Sequence, residues 1–386
     1  MRLLTTYTNG KWTDLSPEEG EEGADYKDQL RQSLTEFLRS PNLVVLTGLG
    51  TSLCIKNGSG KKLAPTMWDL WDAIETKVTP KVFTEICNLV RHREETDPDS
   101  GEESFVADIE LLLSKCLIFE QYNPSSKIRK FIKQAEAVIV ELCDFLDDMA
   151  TLEVHEAFLR RIGRRPTRHP RTKLFTTNYD AAFETAASRI HFTVVDGFSH
   201  TMPQEFDSGY FAYDLVRRDD DGSVPHFIPN VFHLYKLHGS IDWQQDDERI
   251  IKQVSPEKPV LIYPRHSKFE LSYESPFLDL MSRFQGSLRQ TETSLLVIGF
   301  GFNDKHLTQP ILSAIRSNVG LRTLVVSPSL EGSENNAVVF IENLISAGDS
   351  RLGLVAATFE EFVPFLPDLV FETEEERHRK RLKGEA

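Results

Sequence analysis

Beyond position 170 the chain alternates between short apolar, β-branched runs and stretches with helical spacing. The runs fall at 173–177, 192–195, 233–237, 260–263, 294–299, 321–327 and 352–356. Such alternation predicts βαβ units and a mainly parallel sheet. Upstream, Tyr26, Leu30, Leu34, Phe37 and Leu38 recur at helical spacing as far as Pro41, which predicts a helix feeding a first strand at 43–46. From 66 to about 162 the pattern is almost entirely helical, clearest at 104–119 and 128–146, with a break at Asp97-Pro98-Asp99-Ser100-Gly101. The prediction is an α/β protein of three layers. Its core occupies 25–65 and 165–370, interrupted after the first strand by a helical insertion over 66–164. Residues 1–24, which include the acidic Pro17-Glu18-Glu19-Gly20-Glu21-Glu22-Gly23, read as an exposed arm, and 371–386 as a charged tail.

Composition bounds the function. At 386 residues the chain exceeds a typical single core, which suits one elaborated domain. No apolar stretch reaches the roughly 18 to 20 residues that span a bilayer, and the first residues lack a signal-peptide profile. A soluble, cytoplasmic protein with no membrane partner is expected. Cys54, Cys87, Cys116 and Cys143 form no Cys-x-x-Cys pair, so reduced packing residues are expected, with neither a disulfide scaffold nor a metal site. The formal net charge of -15 disfavours loose attraction to nucleic acid or anionic lipid, and it also repels a pyrophosphate. A dinucleotide site then needs local compensation from backbone N–H groups, a helix amino terminus, or a nearby Arg or Lys.

Four strand ends carry candidate chemistry. Gly48 and Gly50 permit a tight turn and close approach of backbone to phosphate, while Thr51 and Ser52 offer hydroxyls at the start of the next helix. The dehydrogenase fingerprint is missing, because Leu53 stands where a third glycine is needed. Gly58-Ser59-Gly60-Lys61-Lys62 mimics a P-loop ending, but Ile55 and Lys62 replace its required glycine and hydroxyl residue, and it reads as a loop. After Thr176 and Thr177, Asn178 can orient water or a ribose hydroxyl and Asp180 can accept from a carboxamide; equally, the pair can form a turn and cap the following helix. His238, between a strand and a glycine, is a candidate general base. His233 suits packing or hydrogen bonding, Trp243 a core anchor and Asp242 a turn. Gly299-Phe300-Gly301-Phe302-Asn303-Asp304 repeats the strand-then-glycine pattern, as a nucleotide contact or as a turn with a helix cap at Asn303 or Asp304. Ser327 ends another strand.

Together, Gly48-Leu49-Gly50-Thr51-Ser52, Thr176-Thr177-Asn178-Tyr179-Asp180, His238-Gly239 and the late glycine strand resemble, in order and residue type, a sirtuin-like NAD-consuming domain. The resemblance implies a Rossmann-like, sirtuin-type sheet. It implies that Gly48, Gly50 and Ser52 line the dinucleotide's phosphates and ribose, with Thr51 and Thr177 beside them. It further implies that Asn178 and Asp180 face the nicotinamide ribose and carboxamide, that His238 is the general base, and that Gly299 and Ser327 border the adenosine half. The variants here look closer to bacterial sirtuin-like anti-phage defence proteins than to the protein deacetylases. That likeness implies NAD as substrate, an NAD glycohydrolase that depletes it, a homo-oligomer, and pairing with a HerA-type hexameric ATPase. No cysteine follows Cys143, so the zinc ribbon of deacetylase sirtuins is not expected, and water is favoured as acceptor. NAD-dependent deacylation or ADP-ribosyl transfer, and a catalytically silent nucleotide sensor, are the alternatives. One basic run, Arg160, Arg161, Arg164, Arg165, Arg168, Arg171 and Lys173, reads as a solvated helix end, or else as a surface for an acidic partner or nucleic acid.

Overall fold

The computed structural model describes residues 1–15, 23–92, 94–96, 103–218, 226–261, 275–370, 377–378 and 381–382. In chain order, β1 (Arg2–Leu4) and β2 (Thr13–Asp14) precede α1 (Gly23–Leu38) and β3 (Asn42–Thr47). The insertion follows as α2 (Met67–Val78), α3 (Pro80–Leu89), the hairpin β4 (Glu94–Thr96) and β5 (Glu103–Phe105), α4 (Ile109–Tyr122) and α5 (Ser126–Cys143). The chain returns through α6 (Glu153–Gly163), β6 (Lys173–Thr176), α7 (Ala182–Arg189) and β7 (Thr193–Val195). Two short strands, β8 (Val216–Arg217) and β9 (His226–Phe227), lead to β10 (Val231–Lys236), β11 (Gly239–Asp246), β12 (Arg249–Lys252) and β13 (Pro259–Leu261). The last elements are α8 (Phe277–Leu288), β14 (Thr293–Ile298), α9 (Lys305–Ser317), β15 (Leu321–Val326), α10 (Asn336–Ser346), β16 (Leu352–Ala356) and α11 (Phe359–Phe362).

Among the described residues, nine strands form one sheet in the order β2-β1-β16-β15-β14-β3-β6-β10-β7. From β16 to β7 every pairing is parallel, and β1 and β2 add an antiparallel edge. The fold is therefore a Rossmann-like, mainly parallel three-layer α/β structure. Period-two alternation builds the layers. In β3, Val44 and Leu46 join the core shared with α8, α9 and α10, while Leu43 and Val45 join the one shared with α1, α6, α7 and α11. Helices α2 to α5 have a third core of their own around Trp71, Ile74, Phe83 and Phe131, which also takes in Tyr179 and Ile241.

Several expectations are corrected. Residues 1–15, read as part of an exposed arm, close the sheet's edge: Leu3 is fully buried, and Leu3 pairs with Val355. Three residues are too short a run to show periodicity, so their strand is a tertiary choice. Helix α6, read as insertion, packs Phe158 and Ile162 against the sheet layer. Of the run at 260–263, residues 260 and 261 belong to β13, which pairs antiparallel with β11 outside the parallel sheet, and 262–263 lie outside the described residues. The break at 97–101, the acidic stretch at 17–22 and most of the tail lie outside the described residues. No helix among the described residues is long and apolar enough to cross a membrane.

Candidate functional site

Strands β15, β14, β3, β6 and β10 lie side by side and run the same way. Their carboxyl ends therefore deliver Ser327, Gly299, the Gly48–Ser52 turn, the Thr177–Asp180 loop and His238 to one edge. From β3 the chain builds outward to β6 and β10, and from β14 outward to β15 and β16. The boundary between β3 and β14 is thus a switch point, where open α/β sheets form their ligand crevice.

Hydrogen bonds join two of these loops. The amide nitrogen Nδ2 of Asn178 donates to the Gly48 carbonyl at 3.1 Å, to Ser52 Oγ at 2.8 Å and to Thr51 Oγ1 at 3.3 Å. Ser52 Oγ in turn donates to Asp180 Oδ2 at 2.7 Å, and Asp180 Oδ1 accepts from the Ala182 N–H at 3.0 Å. Asp180 thus accepts from the first N–H of α7 and ties its loop to the glycine turn, which is the turn-forming role read for the pair. With Nδ2 committed, Oδ1 is the end of Asn178 that makes no hydrogen bond among the described residues. Thr177 is half-buried, and its N–H donates to Thr47 at 3.1 Å. Ser327 lies 3.4 Å from Ser329 through their hydroxyls.

The glycines are required by the way two loops cross. A Cβ on Gly50 would sit 2.6 Å from the Gly299 Cα, and one on Gly299 would sit 2.7 Å from the Gly50 Cα, with Gly299 itself at φ +62°. These positions let two loops cross in contact. The N–H groups of Gly48, Gly50, Thr51 and Ser52 donate to the carbonyls of Ile298, Gly299, Gly48 and Leu49, which hold the turn. The hydroxyls of Thr51 and Ser52 do not open an α-helix either: residues 49–51 form a 3-10 turn, and α2 begins only at Met67.

His238 is 2% exposed, and burial pushes its imidazole down to about 3. Its Nε2 lies 3.2 Å from Nε2 of His306, in the first turn of α9. Gly239 follows at φ +82°, where a Cβ would collide with the Val260 carbonyl at 2.0 Å; the His-Gly pair is needed for β13 to cross here. Asp242, read as a turn residue, lies within β11, while Trp243 is a core anchor at 2% exposure, 5.3 Å from Phe198. Asp304 occupies the N-cap position of α9 without a side-chain cap bond. A cavity of about 530 Å³ beside Leu117 and Val260 and another of about 340 Å³ beside Tyr7 and Arg322 are lined by none of these residues.

Lys236, which the sequence reading passed over, is a buried cation beneath the site. Its side chain is 3% exposed, and Nζ donates to the Tyr179 carbonyl at 3.2 Å, to the Asp180 carbonyl, and to Glu184 at 3.1 Å. Burial raises the Glu184 carboxyl, and the Lys236 ammonium opposes that rise. One charge therefore fixes the backbone of the Asn178–Asp180 loop. Lys236→Met should lower unfolding free energy by about 2 to 3 kcal/mol, below the usual cost of breaking a buried pair because Glu184 keeps some solvent. Urea titration of the variant checks this, with Glu184→Gln added in the same background. An unchanged midpoint would show that the ammonium is not holding the loop.

The basic run is inward-facing. Arg165 donates to the carbonyls of Ser40 and Pro41, Arg161 to Leu366 at 2.8 Å, Arg171 to Asp214 at 2.7 Å, and Lys173 to Ser287 at 3.2 Å. Arg164 is 6% exposed, and of the run only Arg168 is exposed. The reading as a solvated helix end gives way to one in which these side chains fasten α6 and the following loop to their neighbours. All four cysteines are free, and burial raises the Cys54 and Cys87 thiols to about 12.

Residues 172–340 match the family model of the SIR2-like domain. The matched stretch contains Asn178, Asp180, His238, Gly299 and Ser327, and it lies downstream of the Gly48–Ser52 turn. Among solved structures, a cytosolic 5'-nucleotidase IIIB bound to cytidine aligns with 95% of this chain and 97% of its own at 13% identity. The TM-score of 0.34 makes that likeness too remote to carry an inference. No curated protein matches the chain significantly.

Proposed function

We propose that this chain is an NAD glycohydrolase that splits the bond between nicotinamide and ribose, with water as acceptor. The observation that carries the reading is the convergence of Asn178, Asp180 and His238, all inside the SIR2-like match, at adjacent strand ends beside the switch point. Loss of nicotinamide leaves an oxocarbenium-like sugar, which calls for a rigid, dry surrounding and a positioned nucleophile. Asn178 at 8% exposure and His238 at 2% meet the first need. In this mechanism Oδ1 of Asn178 accepts from the attacking water and positions it. His238 takes a proton from a ribose hydroxyl, and Asp180, anchored by Ser52 and Ala182, meets the nicotinamide carboxamide. Thr177, Gly299 and Ser327 line the rest of the dinucleotide.

The wider role proposed is depletion of NAD in anti-phage defence, as a homo-oligomer working with a HerA-type hexameric ATPase; its support is the motif resemblance. Incubation of the full chain with NAD, followed by chromatography, should give nicotinamide and ADP-ribose in equal amounts with no acylated peptide present. Nicotinamide release only with an acylated or other protein acceptor would replace hydrolysis by transfer. Binding of NAD without release would remove the catalytic reading.

A further inference from the structure

The base at this site has a difficulty of its own making. His238 is enclosed, and burial alone drives its imidazole down to about 3, so it is neutral at physiological pH but a weak acceptor of a second proton. A useful base in such a position needs a neighbour that binds its charged form better than its neutral form. The neighbour here lies 68 residues away in sequence.

We infer that His306 is the positioning residue for His238, holding it as the Nε2–H tautomer so that Nδ1 is the nitrogen that takes the substrate's proton. The two Nε2 atoms are 3.2 Å apart, with ring centroids at 5.3 Å and planes inclined by 33°. A hydrogen bond between two such nitrogens requires one to carry the proton and the other its lone pair. With His238 as donor, its Nδ1, which makes no hydrogen bond among the described residues, bears a lone pair. When a ribose O–H gives its proton to Nδ1, His238 becomes an imidazolium whose Nε2–H still donates to neutral His306, and the electron pair of the broken O–H bond stays on the ribose oxygen. The contact strengthens as the charge forms, in the manner of other charge-assisted hydrogen bonds. His306 sits in the first turn of α9, where the helix field disfavours a cation.

This inference rests on the glycohydrolase reading for its catalytic consequence, but not for the pairing itself. The pairing is tested by 15N spectra of histidine-labelled protein. Wild type should show His238 protonated at Nε2, and His306→Ala should lose that preference. Protonation at Nδ1, or a spectrum of His238 indifferent to His306→Ala, would overturn the assignment. In turnover assays, His306→Ala should lower kcat by about 10- to 100-fold with KM nearly unchanged. His306→Gln, whose Oε1 can still accept from Nε2–H, should recover to within a few-fold of wild type. Equal kcat in wild type and His306→Ala would also overturn it. A wild-type chain that released no nicotinamide would sink the glycohydrolase reading, while the spectra would still decide the pairing.

Discussion

Alanine at His238 or at Asn178 is expected to lower nicotinamide release by roughly 100- to 10,000-fold, the contribution usual for a positioned acid–base group. In barrier terms this is about 3 to 5 kcal/mol. The two variants should differ in what else they lose. His238 makes one side-chain hydrogen bond, to His306, so its removal should leave the loops in place. Asn178 spans two loops through Gly48, Thr51 and Ser52, and its loss strands acceptors in a buried setting. An additional fall in stability of about 1 to 3 kcal/mol is expected for Asn178→Ala, still leaving a cooperative unfolding transition. Nicotinamide release at saturating NAD, measured beside urea unfolding, separates the two effects. Normal turnover in either variant would remove that residue from the mechanism. A rate loss accompanied by loss of the unfolding transition would say nothing of chemistry, and Asn178→Ser, which keeps a donor on a shorter arm, then serves as the second variant.

The sheet was largely legible because its parallel strands are buried on both faces and so read as short apolar runs between helices. The 294–299 and 321–327 runs lie within a residue of β14 and β15. Positions of the candidate residues at strand ends followed from the same pattern. What escaped notice was pairing between residues far apart in sequence. Lys236 looks like a polar residue closing an apolar strand, yet it meets Glu184 52 residues away; the available signal was a charge in a run otherwise fit for burial. His306 follows Asp304 in a stretch that reads as a helix cap, and nothing in its spacing points to His238. The glycine crossing escaped notice for a related reason. Small residues at a strand end suit a phosphate and a crossing loop equally, and only the structure shows that a Cβ on Gly50 would come within 2.6 Å of the Gly299 Cα. The arginines at 160–171 misled in the opposite sense: charge runs ordinarily face water, but backbone carbonyls take up Arg161 and Arg165, and Asp214 takes up Arg171.

Acid should unfold this protein early, and His155 is a principal cause. It is fully buried in α6 between Phe183 and Phe359, with ring centroids 5.2 and 5.1 Å away, and neither ring nitrogen has a hydrogen-bond partner among the described residues. Burial pushes its imidazole down from 6.5 to about 3. Between those values the unfolded chain binds a proton that the folded chain refuses. Stability is therefore full above pH 6.5 and falls as pH drops towards 3, by about 1.4 kcal/mol per pH unit for each such histidine. His238 adds a second slope of the same sign over the same window, and His233, pushed down to about 4, adds a third over a narrower one. His155→Phe keeps an aromatic ring between its two neighbours and removes the unpartnered nitrogens. It is expected to be more stable at pH 7 by about 1 to 2 kcal/mol. Its stability should also fall less steeply from pH 6 to 4, by about 1.4 kcal/mol per unit. Urea unfolding of wild type and variant at half-unit steps of pH reads both quantities. A variant that kept the wild-type acid slope would show that His155 is not held neutral by the fold, whatever its stability at pH 7.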